Sequence, residues 1–337
     1  MSLNIKVIAE KACVSTATVS RVLSGFPGVK EKTRKKVMKI ISELNYEVDG
    51  IARSLRQKKT FKIGVIVENV LSQFYSTLAK SIEDVASKYG YSVILCNADD
   101  DPEKELKYLK VLRSSRVDGI IIAPTGKNAG YINNLLQSNI KIVLIDRLIE
   151  GVDCDAILVD NEKGAYTAVK YLIDKGYKKI AIIDGFIDRT TGKERLSGYL
   201  KALSEGNIPR NDDFIKIGNF KKRTGIMLAK ELLESKNKPE AIFVANVDLT
   251  LGALLSIKNL NLKIPDDIAI IGFDDSDWAQ ILESPLTTIS QPVYDLGSTA
   301  AEMLIKNIEN DNSKKEKSIV TFNTKLIERD SVKKINK

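Results

Sequence analysis

The chain has 337 residues, 43 % of them hydrophobic, which is enough for a globular protein of two or three domains. It contains no histidine, and this excludes triads, zinc sites and general bases that depend on an imidazole. Its 52 Lys and Arg outnumber its 44 Asp and Glu, and the resulting charge of +8 lies entirely in residues 1–60, which hold thirteen basic and five acidic residues.

Residues 5–23 predict two short helices joined by a tight turn, with Ser15 as the N-cap of the second helix. Val19, Val22 and Leu23 recur at helical spacing, and we expect them to pack against the apolar side of the first helix. The opposite face is small, polar and basic, and it suits the major groove of DNA. That face carries Thr16, Ala17, Ser20 and Arg21. On periodicity alone, an ordinary amphipathic helix pair explains the segment equally well.

The distribution of charge favours the DNA-binding interpretation. Residues 61–337 contain 39 charged residues of each sign, so the chain reads as a basic module attached to a neutral body. Attraction to phosphate groups is the usual reason for such an arrangement. The basic residues crowd a predicted third helix with an apolar opposite side: Lys30, Lys32, Arg34, Lys35, Lys36 and Lys39.

From Phe61 onward, short apolar strands alternate with segments of helical spacing. The strands are predicted at 62–67, 91–97, 119–123, 140–145, 156–159, 179–183, 214–217, 241–244 and 268–272. Helices are predicted at 75–89, 103–113, 162–175, 195–203, 224–233, 249–259 and 294–307, and Asp101 is expected to cap the second of them. This alternation predicts parallel sheets covered on both faces. So many strands suit two lobes better than one sheet.

Polar residues follow several of these strands. Ligands of open α/β sheets bind beyond the carboxyl ends of the strands. The residues expected there are Asp146, Arg147, Asp160, Asn161, Asn246, Asp274 and Asp275. A break near 159–161 would end the first lobe, and the helix at 294–307 could return the chain to it. Two facing lobes would then bring these residues together around a cleft.

These features converge on a resemblance to the LacI/GalR family of transcriptional repressors, along essentially the full chain. The matching stretches occur in the expected order at 14–23 (VSTATVSRVL), 28–37, 44–55, 63–69, 117–124, 144–147, 159–169, 195–199, 241–246, 268–279 (IAIIGFDDSDWA) and 285–297. The resemblance implies a helix-turn-helix domain at 1–48, a hinge helix and linker at 49–60, and an effector-binding and dimerisation domain at 61–337. The last would comprise two doubly wound α/β lobes of the periplasmic-binding-protein type, at about 61–161 with 292–320 and about 162–291 with 321–337.

The resemblance also implies function: a homodimeric repressor that binds a near-palindromic DNA operator and is controlled by a small molecule, often a sugar. Thr16, Ala17 and Arg21 match the positions that read bases in the major groove, and Thr18 and Ser20 are available for phosphates. Arg21 has the geometry to reach guanine, and the Ala17 methyl group to touch thymine.

The family's hinge helix folds on the operator and inserts a leucine into the minor groove. Leu55 matches that leucine, with Ala52 and Arg53 beside it. The family's proline after Tyr46 is replaced by Glu47, and a glycine, Gly50, stands shortly after it, so ordering the hinge should cost more entropy. We therefore expect the hinge to depend on the operator for its folding. Without the family context, Leu55 would be interpreted as a linker residue packed on the body.

For the effector, the resemblance implies a pocket of aromatic, acidic and basic side chains. The matching residues are Phe74, Tyr75, Asp146, Arg147, Asp160, Arg189, Thr191, Arg195, Phe220, Asn246 and Asp274. Such a set suits a polyhydroxylated ring, although a purine or an acidic sugar stays compatible with it. Many relatives have an acidic residue directly after the Ala-Asn pair, whereas here Val247 intervenes before Asp248. Whether the ligand weakens or strengthens DNA binding is left open.

Other functions are less compatible with the sequence. A glycosidase would need separated carboxylates, but Asp274, Asp275 and Asp277 share one strand end. A stand-alone sugar-binding protein would need an export signal and would have no use for the basic module. A global regulator of the same family, activated by a phosphorylated protein partner, remains an alternative.

The sequence gives no indication of a cofactor, a metal or a membrane. Neither a GxGxxG nor a GxxxxGK[ST] loop occurs, and no apolar run approaches the roughly 20 residues of a membrane span. The three cysteines, Cys13, Cys96 and Cys154, lie in apolar runs and are expected to be reduced. We expect a cytoplasmic protein without cofactor or metal and without enzymatic activity.

Overall fold

The computed structural model describes residues 5–23, 26–44, 59–310 and 317–335. The chain divides into two compact units, Met1–Thr60 and Phe61–Lys337. We call them the N-terminal unit and the body, and each is described by itself.

The N-terminal unit contains the predicted helix-turn-helix. Its helices are α1 (Ile5–Ala12), α2 (Thr16–Leu23) and α3 (Glu31–Glu43). Their apolar sides form one small core, in which Ile8, Val19 and Val37 are fully buried. The cap of α2 is confirmed, because Ser15 Oγ accepts a hydrogen bond of 3.1 Å from the backbone N–H of Thr18.

The first sheet of the body defines lobe 1. Its strands are β1 (Lys62–Val67), β2 (Ser92–Asn97), β3 (Gly119–Ile122), β4 (Lys141–Ile145), β5 (Asp155–Val159) and β11 (Ile319–Phe322), in the order β11-β5-β4-β3-β1-β2. All neighbouring strands in it are parallel. One face packs against α4 (Gln73–Lys88) and α11 (Val293–Glu309), and the other against α5 (Pro102–Ser114) and α6 (Ala129–Gln137).

The second sheet defines lobe 2. It contains β6 (Ile180–Asp184), β7 (Ile215–Ile217), β8 (Ala241–Val244), β9 (Ala269–Phe273), β10 (Thr287–Ser290) and β12 (Lys325–Ile327), in the order β12-β10-β9-β8-β6-β7. Only the pair β10–β12 is antiparallel among the described strands. Its faces are covered by α7 (Asn161–Asp174) with α8 (Thr190–Glu205), and by α9 (Lys222–Glu234) with α10 (Val247–Asn259). Short 3-10 helices lie at Asp212–Phe214 and Asp277–Gln280.

The chain passes between the two sheets more than once. It leaves lobe 1 after β5, returns to it with α11 after β10, and adds β11 to the first sheet before β12 joins the second. The lobes are therefore linked by three connecting segments. Such connections favour rotation of one lobe against the other over movement of the lobes as independent domains. Among the described residues, none of the helices has the length and apolar character needed to cross a bilayer.

Close helix packing stiffens lobe 2. Gly198 in α8 lies so near α7 that a Cβ atom there would come within 2.1 Å of the Glu162 carbonyl oxygen. Gly225 and Gly252 play the same part between α9 and α10, where added Cβ atoms would lie 2.3 and 2.2 Å from backbone oxygens. These close approaches need glycine, because any side chain would force the helices apart.

Candidate DNA-binding surface and ligand cleft

The outer face of α2 presents the side chains that were expected to read DNA. Thr16, Ala17 and Arg21 are exposed, whereas Thr18 and Ser20 are half-buried. Thr18 Oγ1 lies 2.9 Å from Ser15 Oγ, so this hydroxyl group takes part in the cap of the helix. The exposed triplet gives α2 a small apolar, polar and cationic edge of the kind that fits base edges in a major groove.

Arg21 is oriented by a neighbouring aromatic side chain. Its guanidinium carbon lies 6.0 Å from the centre of the Phe26 ring, and the Phe26 backbone N–H donates to the Arg21 carbonyl at 3.0 Å. The Phe26 carbonyl in turn accepts a hydrogen bond of 2.7 Å from Arg34 Nη2. Contact with an aromatic face stabilises a guanidinium group without neutralising its charge.

Helix α3 supplies a second basic surface on the N-terminal unit. Lys32, Lys35, Lys36 and Lys39 are exposed, while Val37 on the opposite side is fully buried. Loose ion pairs involve only the ends of the helix, with Arg34 to Glu31 at 3.9 Å and Lys39 to Glu43 at 3.7 Å. The helix thus keeps most of its positive charge available to a polyanion. The hinge residues Ala52, Arg53 and Leu55 lie outside the described residues.

The body contains a cavity between its two lobes, at the carboxyl ends of strands from both sheets. Its volume is about 420 Å³, including space that is open to solvent. Nine of the residues proposed from the sequence line it: Phe74, Tyr75, Asp146, Arg147, Thr191, Arg195, Phe220, Asn246 and Asp274. The remaining lining residues are Glu68, Asn69, Ser72, Val247, Asp248 and Gln291.

The wall of lobe 1 is built around the buried guanidinium group of Arg147. Arg147 Nη2 lies 2.6 Å from Glu68 Oε2 and 2.9 Å from Asp146 Oδ2, and its Nη1 lies 3.9 Å from Asp100 Oδ1. Tyr75 Oη accepts from Arg147 Nη2 at 2.7 Å and donates to Asp146 Oδ2 at 3.0 Å. The guanidinium group of Arg147 therefore lies close to three carboxylates, all of which are largely buried.

The surroundings keep the guanidinium group of Arg147 charged and the phenol of Tyr75 neutral. Burial raises the pKa of Tyr75 well above its usual range, and the adjacent carboxylates add to the rise. Burial alone would lower the pKa of Arg147, but the nearby Tyr75, Glu68 and Asp146 outweigh this effect, so the pKa of Arg147 lies well above its usual value. The guanidinium group therefore remains protonated and holds the acidic side chains in place.

The wall of lobe 2 is built around Arg195. Its guanidinium carbon lies 3.9 Å from the centre of the Phe273 ring, its Nε donates to Asn161 Oδ1 at 2.9 Å, and its Nη1 donates to the Ala245 carbonyl at 2.5 Å. Burial raises the pKa of Asp274, while the field of Arg195 opposes that rise. Arg195 thus fixes loops at the ends of three elements and provides positive charge beside the cavity.

Asp146 and Asp274 occupy equivalent places in the two lobes. Asp146 follows β4 and Asp274 follows β9, with positive φ angles of 70° and 76°. The backbone N–H of each bonds to the next strand, at Ile157 and Ile289 respectively. A left-handed conformation costs energy for a residue with a side chain, although Asp tolerates it better than most. Such strain is typical of residues whose direction serves a site.

The lobes also contact each other directly. Arg189 Nη2, at the start of α8, lies 3.1 Å from Asp100 Oδ1 of lobe 1. The backbone N–H of Leu148 donates to Thr190 Oγ1 at 3.1 Å. Burial raises the pKa of Asp100 to about 6, with a further contribution from Glu68, whereas the nearby guanidinium groups act against this. These contacts join the two lobes beside the cleft.

Two of the residues that match the family's pocket, Asp160 and Arg189, do not line the cavity, and neither do Asn161 and Asp275, which were expected there because they follow strands. Asp160 caps α7, where its Oδ1 accepts a hydrogen bond of 2.9 Å from the Lys163 backbone N–H. Arg189 does not line the cavity and instead bridges the lobes through Asp100. Asp160 follows a strand as expected, but α7 begins immediately after it, and the first turn of that helix takes its carboxylate.

Sequence reasoning missed Glu68, Asp248 and Gln291, which also line the cavity. Glu68 follows β1 directly, so the rule applied to the other strand ends could have found it. Asp248 was noted only as a displaced acidic residue, and its position in the first turn of α10 turns it toward the cavity. Gln291 follows β10, a strand that the sequence analysis did not predict.

The helix-turn-helix unit and the two-lobed body with its interlobe cavity define the class of ligand-responsive transcriptional regulators. A family model described as bacterial regulatory proteins of the lacI family matches residues 4–49. A second, described as periplasmic binding proteins and sugar binding domain of LacI family, matches residues 60–330. The chain belongs to the LacI family of transcriptional regulators. The predicted family, fold class and regulatory function are thereby confirmed.

Individual relatives agree with this assignment over nearly the whole chain. Catabolite control protein A of Priestia megaterium is 37 % identical over 307 residues, which cover 91 % of this chain and 92 % of that protein. HTH-type transcriptional repressor PurR of Vibrio campbellii is 35 % identical over 333 residues, covering 98 % and 99 %. The crystal structure of the Lac repressor dimer bound to operator and the anti-inducer ONPF is 26 % identical, with a TM-score of 0.86 and coverage of 98 % and 99 %.

Proposed function

We propose that this protein is a homodimeric transcriptional repressor that binds a near-palindromic operator and responds to a carbohydrate bound between its lobes. The observation that carries the proposal is the interlobe cavity, because it combines carboxylates, guanidinium groups and aromatic rings in a chain that also has a basic helix-turn-helix unit. Carboxylates accept hydrogen bonds from paired hydroxyl groups, and the aromatic rings of Phe74 and Phe220 suit the apolar face of a sugar ring.

For DNA, the proposed readers are Thr16, Ala17 and Arg21, with Thr18 and Ser20 near phosphates. Leu55, flanked by Ala52 and Arg53, is proposed for the minor groove on the strength of the family motif alone. The protein would act in the cytoplasm, where its operator lies, and would turn over no substrate.

For the ligand, the proposed contacts are the residues that line the cavity. Asp160 is not among them, because it caps α7. A ligand that touches both walls stabilises one lobe angle over others, and the operator affinity can change by at most the difference in the ligand's binding free energy between those lobe angles. Arg189 and Asp100 are proposed to set that angle rather than to touch the ligand.

Arg21→Ala tests the DNA side of the proposal. An operator would first be selected from randomised duplexes, and binding measured by fluorescence anisotropy. Loss of a bidentate guanine contact should weaken operator binding by about 1–3 kcal/mol and relax the preference at one base pair. Lys36→Ala, in exposed α3, is the matched control and should weaken operator and random DNA equally. An Arg21→Ala variant that loses the same factor on both kinds of DNA would refute the base-reading role.

A further inference from the structure

The two arginines that line the cavity already donate hydrogen bonds within the protein. Arg147 donates to Asp146 and Glu68. Arg195 donates to Asn161 and to the Ala245 carbonyl. A ligand that offers only acceptors would have to displace these buried bonds, and each displaced partner would be left without compensation.

Carboxylate and amide acceptors, by contrast, are in excess. Gln291 Oε1, which can only accept, and the Thr191 hydroxyl group, which can accept or donate, have no hydrogen-bond partner within the described part of the chain, although their residues are only 8 % and 2 % exposed. Both residues line the cavity. Asp274 Oδ1 accepts from Gln291 Nε2 at 2.5 Å, and Asp248 Oδ2 accepts from Asn69 Nδ2 at 3.5 Å, so the described side chains that donate to these two carboxylates are neutral amides. The cavity therefore favours a ligand that is rich in hydrogen-bond donors.

The charge of the cavity points in the same direction. Four carboxylates line it (Glu68, Asp146, Asp248 and Asp274), against the two guanidinium groups of Arg147 and Arg195. Burial raises the pKa of Asp248, and Glu68 of the opposite lobe raises it further. Asp146 likewise raises the pKa of Asp274 from across the cavity, after burial as the main cause. Like charges thus face each other between the lobes, and a cation between them would relieve the repulsion.

We propose that the cavity selects a ligand with a protonated amine beside its hydroxyl groups, of the amino sugar class, and disfavours phosphorylated sugars. The ammonium group would lie between Asp248 and Glu68, and the hydroxyl groups would meet Asp274, Gln291 and Thr191. An ammonium group brings three donors and a positive charge, whereas a phosphate brings acceptors and negative charge. The inference rests on the proposed function, since it takes the cavity as the effector site.

Matched trios of ligands test this inference on the full-length protein. Glucosamine, glucose and glucose 6-phosphate would be compared by thermal shift and calorimetry, followed by the same trio in the galactose and mannose series. In a series that binds, the amino sugar should bind about tenfold tighter than the parent sugar, because a charge-assisted hydrogen bond exceeds a neutral one by roughly that factor. The phosphate should bind more weakly than the parent.

Asp248→Asn separates charge from shape. It keeps the oxygen that accepts from Asn69 and removes the negative charge, so the preference for the amino sugar should fall by about tenfold while the parent sugar loses less. Glu231→Gln is the matched control, because Glu231 is exposed and pairs with Lys216 at 2.5 Å outside the cavity. Its preference should equal that of the wild type.

The outcomes distinguish this inference from the function on which it rests. Tighter binding of the parent sugar or its phosphate would overturn the charge preference and leave a sugar-responsive regulator in place. An unchanged preference in Asp248→Asn would overturn the placement of the ammonium group. If no member of any series bound while operator binding persisted, control by sugars would fail, and the inference would fail with it.

Discussion

Arg147→Met removes the cation that organises the lobe 1 wall, while the methionine fills part of the space of the arginine stem. In the native protein, this guanidinium group lies 2.6 Å from Glu68 and 2.9 Å from Asp146, with the side chains 5 %, 13 % and 5 % exposed. Both carboxylates would remain buried without their partner. Because removal of one member of a buried ion pair leaves an uncompensated charge, we expect the body to lose about 3–5 kcal/mol of unfolding free energy.

Urea denaturation, followed by circular dichroism of the body transition, measures this loss. A second substitution, Glu68→Gln in the Arg147→Met background, should recover part of the stability by removing one of the two unpaired charges.

Lys127→Met is the matched control for the loss of a positive charge. Lys127 pairs with Asp188 at 3.4 Å, but the two side chains are 61 % and 55 % exposed. Solvent screens such a pair, so the control should cost no more than about 1 kcal/mol. The reasoning is refuted if Arg147→Met costs as little as Lys127→Met, or if Glu68→Gln fails to recover stability in its background.

Two further predictions concern lobe 2. Burial raises the pKa of Asp184 to about 7, so the folded protein binds this proton more tightly than the unfolded chain. The unfolding free energy should then fall by about 2–4 kcal/mol between pH 4 and 7, and Asp184→Asn should flatten that fall in urea titrations. Gly198→Ala should lower the unfolding free energy by about 1–3 kcal/mol, because its methyl group meets the Glu162 carbonyl. Gly130→Ala, where the new methyl group meets no other atom, should raise the melting temperature. Equal shifts of the melting temperature in both variants would show that close packing at Gly198 does not matter.

The central strands could be predicted from the sequence because each is a nearly continuous apolar run. Both ends of β1, β3, β6 and β8 lie within one residue of the predicted ends. Almost all residues of these four strands are buried. A strand covered on both faces leaves this signature whatever its neighbours are. The capping role of Asp101 was also confirmed, since its Oδ1 accepts from the Glu103 backbone N–H at 2.8 Å.

Three strands, β10, β11 and β12, could not be found in the same way. β11 and β12 are short edge strands whose residues are exposed or half-buried, so they lack the apolar run that marks a covered strand. β10 (TTIS) is almost entirely buried but carries hydroxyl groups, and it bonds to the distant C-terminal segment: Thr287 Oγ1 donates to the Arg329 carbonyl at 3.0 Å, and the Thr287 backbone N–H donates to Ser331 Oγ at 2.8 Å. Helix α6 was missed as well, because its apolar residues follow an Asn-Ala-Gly start that reads as a loop.

The same distinction holds for the candidate site. Asp146, Arg147, Asn246 and Asp274 follow strands that are visible in the sequence, and the structure brings them to one cavity. Gln291 depends on β10, and its place next to Asp274 arises only when the two strands pair. Tertiary pairing, which a single sequence does not display, decides which strand ends share a cavity.

We propose that the cleft between the lobes controls binding of DNA by the N-terminal unit. The operator affinity of the full-length protein, measured by anisotropy with and without a carbohydrate that raises its melting temperature, tests this control. We expect the sugar to change the operator affinity of the wild type by at least about fivefold. We expect no such change in Asp274→Asn, which should bind the operator normally in the absence of sugar. If a sugar bound the cleft without changing operator affinity, or changed it equally in the variant, the cleft would not control DNA binding.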